Sequence, residues 1–264
     1  MDMSRASTCS YPLREKDLDY TLGVLAGAGF GKVDLWGRAP HFSIDPSEVD
    51  PAQIEALCTA HGICIGNLGS YPGKDFASAD PAARGAAMEE MIATIDLAAR
   101  FGARSIRILP GSGDDPAQVP LIAPQFAESA AYAETKGVYL GMENHAGSIA
   151  GNPPIALRLC EAVGSKHFGV LYEPCNLMHG GVDYKEAFAV FGEWITHVHV
   201  KDGAWVGDTF ERRHLGEGVI DYRWVVEALQ GAGYEGDYAL EYEICDLEPI
   251  ETGLRKWYEY WEGL

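Results

Sequence analysis

Residues 137–176 read GVYLGMENHAGSIAGNPPIALRLCEAVGSKHFGVLYEPCN. An apolar run, Val138–Glu143, ends in a carboxylate. A stretch of helical periodicity, Pro154–Val163, follows and stops at Gly164, the residue type that closes a helix in the left-handed conformation. A second apolar run, Phe168–Glu173, again ends in glutamate. Strand, helix, strand over this length means two parallel strands joined by a crossover helix.

The unit recurs in both directions along the chain. Strand-like runs are Ala6–Tyr11, Val33–Trp36, Ile63–Leu68, Ser105–Leu109, Val138–Glu143, Phe168–Glu173, Thr196–Lys201 and Tyr238–Tyr242. Helix-like segments alternate with them: Glu15–Ala28, Pro51–Ala60, Pro81–Phe101, Ala123–Lys136, Pro154–Val163, Tyr184–Phe191, Tyr222–Ala232 and Ile250–Trp261. This alternation in a chain of 264 residues matches an α/β fold, a TIM-type (β/α)8 barrel forming a single domain over residues 1–264. No linker or composition shift marks a second domain. The early glycines, Gly23, Gly27, Gly29 and Gly31, lack the spacing of a dinucleotide-binding turn.

Twenty basic residues stand against 39 acidic ones, a net charge of −19. That balance argues against nucleic acid or an anionic membrane as partner, since both need clustered Lys and Arg. It suits cations and neutral polar substrates. The six cysteines (9, 58, 64, 160, 175 and 245) lack metal-site spacing and read as core or loop residues. Without a signal-like N-terminus or an apolar run of membrane length, the expected location is the cytoplasm.

In a barrel of this type, the carboxyl ends of the strands build the active site. Strand five ends in Glu143, Asn144 and His145. Strand six delivers Glu173 and Asn176. Strand seven, His-Val-His-Val-Lys-Asp, carries His197, His199, Lys201 and Asp202, and strand eight carries Glu241 and Glu243. A glutamate closing an apolar strand is costly unless its charge is paired or coordinated. A divalent metal would meet that need on four consecutive strands at once. Carboxylates with an imidazole favour Mn2+ or Mg2+, with Zn2+ or Co2+ accessible through the histidine. The plainer reading is a set of ordinary ion pairs. Side chains two apart share a strand face, so His197, His199 and Lys201 point one way, as do Glu241 and Glu243. Near strand two, Trp36 reads either as a stacking wall for a sugar ring or as core, and His41 as a substrate contact. His61 reads as a helix-end dipole partner, and His167 as solvated.

The segments Gly141–His145, Gly169–Leu177, His197–Asp202, Leu215–Asp221 and Gly233–Glu243 resemble the xylose isomerase-like sugar phosphate isomerase/epimerase family. That family includes ketose 3-epimerases, hydroxypyruvate isomerase-like and inosose dehydratase-like proteins and, more distantly, endonuclease IV. The resemblance implies a metal set of Glu143, Glu173, His199 and Glu241. Glu173 stands where the family has Asp; being one methylene longer, it either displaces the ion or swings aside. Ketose 3-epimerases carry a His three residues after that Asp and an Arg six after the metal-binding His. Asn176 and Trp205 occupy those positions here, so His179, Arg212, Arg213 or His214 would supply the missing contacts.

The implied reaction is isomerisation or epimerisation of a keto-sugar or related polyol through a metal-stabilised enediolate, with Glu143 and Glu241 moving the proton. Mn2+ is the expected ion. Expected substrate contacts are His145, Asn176, Lys201, Trp36, His41 and Arg212; the plainer role for Lys201 is a salt bridge to Glu173 or Glu217. The same site would also serve a dehydratase acting on an inosose-like or dehydroshikimate-like substrate. Phosphodiester hydrolysis would want more histidines and a basic face, and a non-catalytic sugar-binding barrel would want no metal. The resemblance is compatible with a homodimer. Tyr71-Pro72-Gly73, Pro110-Gly111-Ser112-Gly113 and His179-Gly180-Gly181 are expected at the rim or in a lid.

Overall fold

A computed structural model describes residues 1–111 and 115–264; Ser112 and Gly113 of the expected rim segment lie outside the described residues. The strands are β1 (Ala6–Cys9), β2 (Lys32–Trp36), β3 (Cys64–Gly69), β4 (Ser105–Ile108), β5 (Tyr139–Glu143), β6 (Phe168–Tyr172), β7 (Ile195–Val200), β8 (Asp202–Val206), β9 (Thr209–Arg213) and β10 (Tyr238–Leu240). The helices are α1 (Leu18–Ala28), α2 (Pro51–His61), α3 (Pro81–Phe101), α4 (Val119–Lys136), α5 (Pro153–Val163), α6 (Pro174–His179), α7 (Tyr184–Phe191), α8 (Tyr222–Gly231) and α9 (Ile250–Glu262). The eight strands other than β8 and β9 close as a barrel in the order β1-β10-β7-β6-β5-β4-β3-β2. The expected fold class is therefore the observed one.

The chain divides into two compact units, residues 1–66 with 198–264, and residues 67–197. In the first, β1 lies parallel to β10 (Ala6 opposite Tyr238, Thr8 opposite Leu240) and to β2 (Cys9 opposite Asp34). β10 also runs parallel to β7, with Leu240 opposite Val200. The aromatic residues of α9 back this sheet: Trp261 is fully buried, with its ring 5.3 Å from Tyr238 and 5.8 Å from Tyr222. In the second unit, β4, β5 and β6 run in parallel, with Ser105 opposite Tyr139 and Glu143 opposite Leu171. Phe126 of α4 packs there against Phe76 and Phe168 at 4.9 and 5.1 Å.

Local sequence explains the boundaries. Asp17, Asp50, Asp80, Asn152, Asp183 and Asp221 each accept a backbone N–H at the start of a helix. Gly102 and Gly137 close α3 and α4 with φ near +70°, where a Cβ would be strained.

Some expectations need correction. β1 stops at Cys9, and Tyr11–Leu13 turn into a short 3-10 helix around Pro12. α4 begins at Val119 rather than Ala123; Pro120 sits in its first turn, where the missing N–H costs nothing. The hairpin β8–β9 and the short helix α6 were not anticipated. The hairpin's signal is Gly207-Asp208 between Trp205-Val206 and Thr209-Phe210, a two-residue turn flanked by strand formers.

Gly169 in β6 offers a direct check on this packing. A Cβ there would lie 1.8 Å from the Trp194 carbonyl oxygen, whereas Gly85 in α3 has nothing within 4 Å. Gly169→Ala should lower unfolding stability by about 3 kcal/mol or more. Gly85→Ala should raise it by up to about 1 kcal/mol. Urea denaturation of both variants reads the contrast.

Candidate active site

In the first unit the site grows from the ends of β7 and β10. His199 and Lys201 share a face of β7 and its extension, and both are 3% exposed. Glu241 directly follows β10, held by its backbone N–H donating to the Val200 carbonyl at 2.9 Å. Its Oε2 receives Lys201 Nζ at 2.7 Å and lies 3.4 Å from His199 Nδ1. Lys201 Nζ also donates to Glu243 at 2.9 Å, and Arg212 approaches Glu243 at 3.8 Å. Burial would raise the Glu241 carboxyl, but the Lys201 and His199 charges outweigh it and hold the group well below the usual carboxylate range.

The far nitrogen of His199, Nε2, lies 3.2 Å from Asp34 Oδ2 and 4.0 Å from Cys9 Sγ. Burial works against the imidazolium, yet its surroundings hold its pKa well above the ordinary histidine value. Burial also pushes the Cys9 thiol up to about 12; the Glu241 charge and the Asp34 hydrogen bond favour the imidazolium.

The second unit builds its part from β4, β5 and β6. Glu143, the last residue of β5, is 8% exposed. Its Oε2 accepts from Arg107 Nη1 at 2.9 Å, and Arg107 in turn packs on the Tyr71 ring at 4.4 Å. Asn144 clasps the end of β6: its Nδ2 donates to the Glu173 carbonyl at 2.7 Å and its Oδ1 accepts the Glu173 N–H at 2.8 Å. The Glu173 side chain turns to cap α6, taking the N–H of Cys175 at 2.8 Å on one oxygen and the N–H of Asn176 on the other. Asn176 Nδ2 reaches toward Glu143 Oε1 at 3.4 Å. Negative charge is favoured at such a helix N-terminus.

Other expected contacts fall differently. His41 is fully buried: Nδ1 meets Ser10 Oγ at 2.9 Å, and Nε2 meets Thr21 Oγ1 at 3.2 Å and the Lys16 carbonyl at 3.1 Å. It supports Trp36, whose ring it meets edge-on at 5.8 Å, and presents no atom to a substrate. Trp36 itself is half-buried and His145 exposed. His214 is engaged by Glu248 at 3.0 Å and by Trp257 at 3.1 Å. Lys201 pairs with Glu241 and Glu243. His61 pairs with Asp19 at 2.7 Å. His167, expected to be solvated, stacks on Tyr139 and bonds the Val138 carbonyl at 2.8 Å.

The sequence reading missed Asp34, Cys9 and Arg107. Asp34 and Arg107 each interrupt an otherwise apolar strand run, and that was the available signal; Cys9, among Ser7, Thr8 and Ser10, carries none. The Leu215–Asp221 segment gains a physical role. Asp202 at the base of the hairpin accepts the backbone N–H groups of Gly203, Gly216, Gly218 and Ile220 at 2.9–3.2 Å. A Cβ at Gly218 would collide with that carboxylate.

Comparison with known proteins places the chain. The profile described as xylose isomerase-like TIM barrel matches residues 22–261. The chain belongs to that family. Among curated relatives, inosose dehydratase of Geobacillus thermodenitrificans is 29% identical over 47% of this chain and 47% of its own length. L-ribulose 3-epimerase of Mesorhizobium japonicum is 24% identical over 95% of this chain and 83% of its own. The chain spans less than half the length of two of the curated relatives it matches, 38% and 47%. A xylose isomerase-like TIM barrel protein of Mycobacterium smegmatis, solved in complex with magnesium, superposes with a TM-score of 0.76 at 18% identity, covering 92% of this chain and 86% of that one. Members of the family include enzymes, epimerases and dehydratases among them.

The Glu241–Lys201 pair makes a measurable prediction. Lys201→Met strands a buried carboxylate and should cost about 3–5 kcal/mol. Adding Glu241→Gln should recover a large part, giving a coupling energy above about 1 kcal/mol in a denaturant double-mutant cycle.

Proposed function

We propose that residues 1–264 act as one barrel domain, a divalent-metal-dependent isomerase or epimerase of a keto-sugar or related polyol. The observation that carries this reading is the state of the two catalytic candidates. Glu143 and Glu241 are each buried at the end of a strand, and each is paired with a cation, Arg107 at 2.9 Å and Lys201 at 2.7 Å. Two carboxylates paired with cations and sheltered from water suit proton transfer beside a carbonyl.

The donor chemistry fits a metal. His199 Nδ1 and Glu241 Oε2 converge at 3.4 Å, and an imidazole with carboxylates suits Mn2+, Mg2+ or Zn2+. We assign His199, Glu241 and Glu143 as ligands, with Mn2+ as the resident ion. Glu173 joins them only if one of its oxygens serves the ion and the α6 N–H groups together. When bound, the ion supplies a Lewis acid for the negative charge that develops on the substrate oxygens.

The chain's own groups do the rest. One of Glu143 and Glu241 takes the proton from the carbon beside the carbonyl, and the other gives a proton to the opposite face. Lys201 and His199 lower the basicity of Glu241, and Arg107 holds Glu143 in place. Asn176, beside Glu143, and Arg212, beside Glu243, are placed to bind substrate hydroxyls, and exposed His145 and half-buried Trp36 complete the proposed contacts. A neutral, polar small molecule suits a chain of net charge −19. A cytoplasmic location and a homodimer belong to the same reading.

A second reading keeps the same bases and removes water β to the carbonyl. It is favoured by the similarity to an inosose dehydratase. Ketoses and cyclitols incubated with the Mn2+-loaded protein separate the two, since a dehydratase product gains a conjugated, ultraviolet-absorbing double bond and an epimer does not. Glu143→Gln and Glu241→Gln should each lower turnover at least about 1000-fold while the circular dichroism spectrum is retained. Wild-type-like turnover in either variant removes the assignment.

A further inference from the structure

Asp34 takes no part in the proton transfer just described, yet it is built into the same unit with care. It lies in the middle of β2 and is 3% exposed. A carboxylate so deep must be paired. Ser7 Oγ donates to its Oδ1 at 2.8 Å, and His199 Nε2 faces its Oδ2 at 3.2 Å. The opposite ring nitrogen of His199 faces Glu241. The imidazole is thus strung between two carboxylates, one on the reaction side and one behind it.

Hydrogen-bond chemistry decides what this does. An ionised carboxylate only accepts, so Nε2 must carry a proton toward Asp34. A metal ion bound through Nδ1 would leave the neutral ring as the Nε2–H tautomer, with Nδ1 on the Glu241 side. Histidine ligands are commonly oriented this way, through a carboxylate on the nitrogen that does not bind the ion. We propose that Asp34 is a positioning residue for the metal centre, fixing the tautomer and direction of His199. The inference rests on the metal-dependent reading above.

One competitor uses the same residues. Cys9, Asp34 and His199 offer three donor atoms within 4.8 Å of one another and would hold a second ion on the Nε2 side. The 3.2 Å Asp34–His199 contact, against 4.0 Å from Cys9 Sγ to the same nitrogen, favours the positioning role.

Calorimetric titration of metal-stripped protein with Mn2+, paired with visible spectra on Co2+, tests it. Wild type should take one ion per chain. Asp34→Asn should bind about 10- to 100-fold more weakly, with an altered Co2+ band. In a His199→Ala background the same change should shift affinity less than about twofold. Histidine 15N NMR of the wild-type Mg2+ form, with His199 identified by the signal lost in His199→Gln, should report Nε2–H; this readout stands even if Asp34→Asn does not fold. Wild-type affinity in Asp34→Asn, or an Nδ1–H tautomer, overturns the role of Asp34 and leaves the metal reading intact. Two ions per chain, with one lost in Cys9→Ser, overturns it in favour of the second site. No ion bound by wild type overturns both readings.

Discussion

The ion pair between Lys201 and Glu241 is the constraint on which the first unit's architecture turns. Both groups are almost without solvent, so neither tolerates losing the other. Their contact requires β7 and β10 to be neighbours in a fixed register, with Leu240 opposite Val200, and requires the chain to continue past both strands before it turns. Glu241 is therefore also a structural joint, holding β10 to β7 through its backbone and its side chain at once. His199 extends the joint inward to Asp34 on β2, and Asp34 to Ser7 on β1. Buried polar groups on four strands form one connected network, which specifies register more sharply than apolar packing alone.

The second unit repeats the principle with different residues. Glu143 is held by Arg107, and the Glu173 backbone by the Asn144 amide. Each strand end carries a polar group that would be costly alone. This is the usual tension of a site built on a stable sheet: chemistry needs ionisable groups away from water, and the fold tolerates them only in pairs. Asp202 shows the same logic at the rim. Its carboxylate is buried and its pKa raised by that burial, and the four N–H groups of its loop offset the cost only in part. The result is a hairpin anchored at its base with the exposed Trp205 and Val206 at its tip.

Much of this was legible in the residues. Alternating apolar runs and glycine-capped helical stretches encode the barrel, because strand and helix periodicities and the left-handed helix stop are local properties. Placing chemistry at strand ends follows from the fold, so Glu143, His199, Lys201 and Glu241 could be named without coordinates. The short helix α6 was harder. Glu173 reads as the end of a strand, and only the turn of the backbone at Pro174 makes it a cap.

By itself, then, the sequence determined the fold class, the strand ends that bear carboxylate and imidazole, and the poverty of basic surface. It did so because these depend on residue type and on spacing along the chain. Tertiary structure alone decided the pairings: Arg107 with Glu143, Lys201 with Glu241, Asp34 behind His199, and His41 turned inward beneath Trp36. Asp34 and His199 stand far apart in the chain, and Ser7 and Asp34 on neighbouring strands. No periodicity records such contacts, since they arise from the register of parallel strands that the chain brings together only on folding.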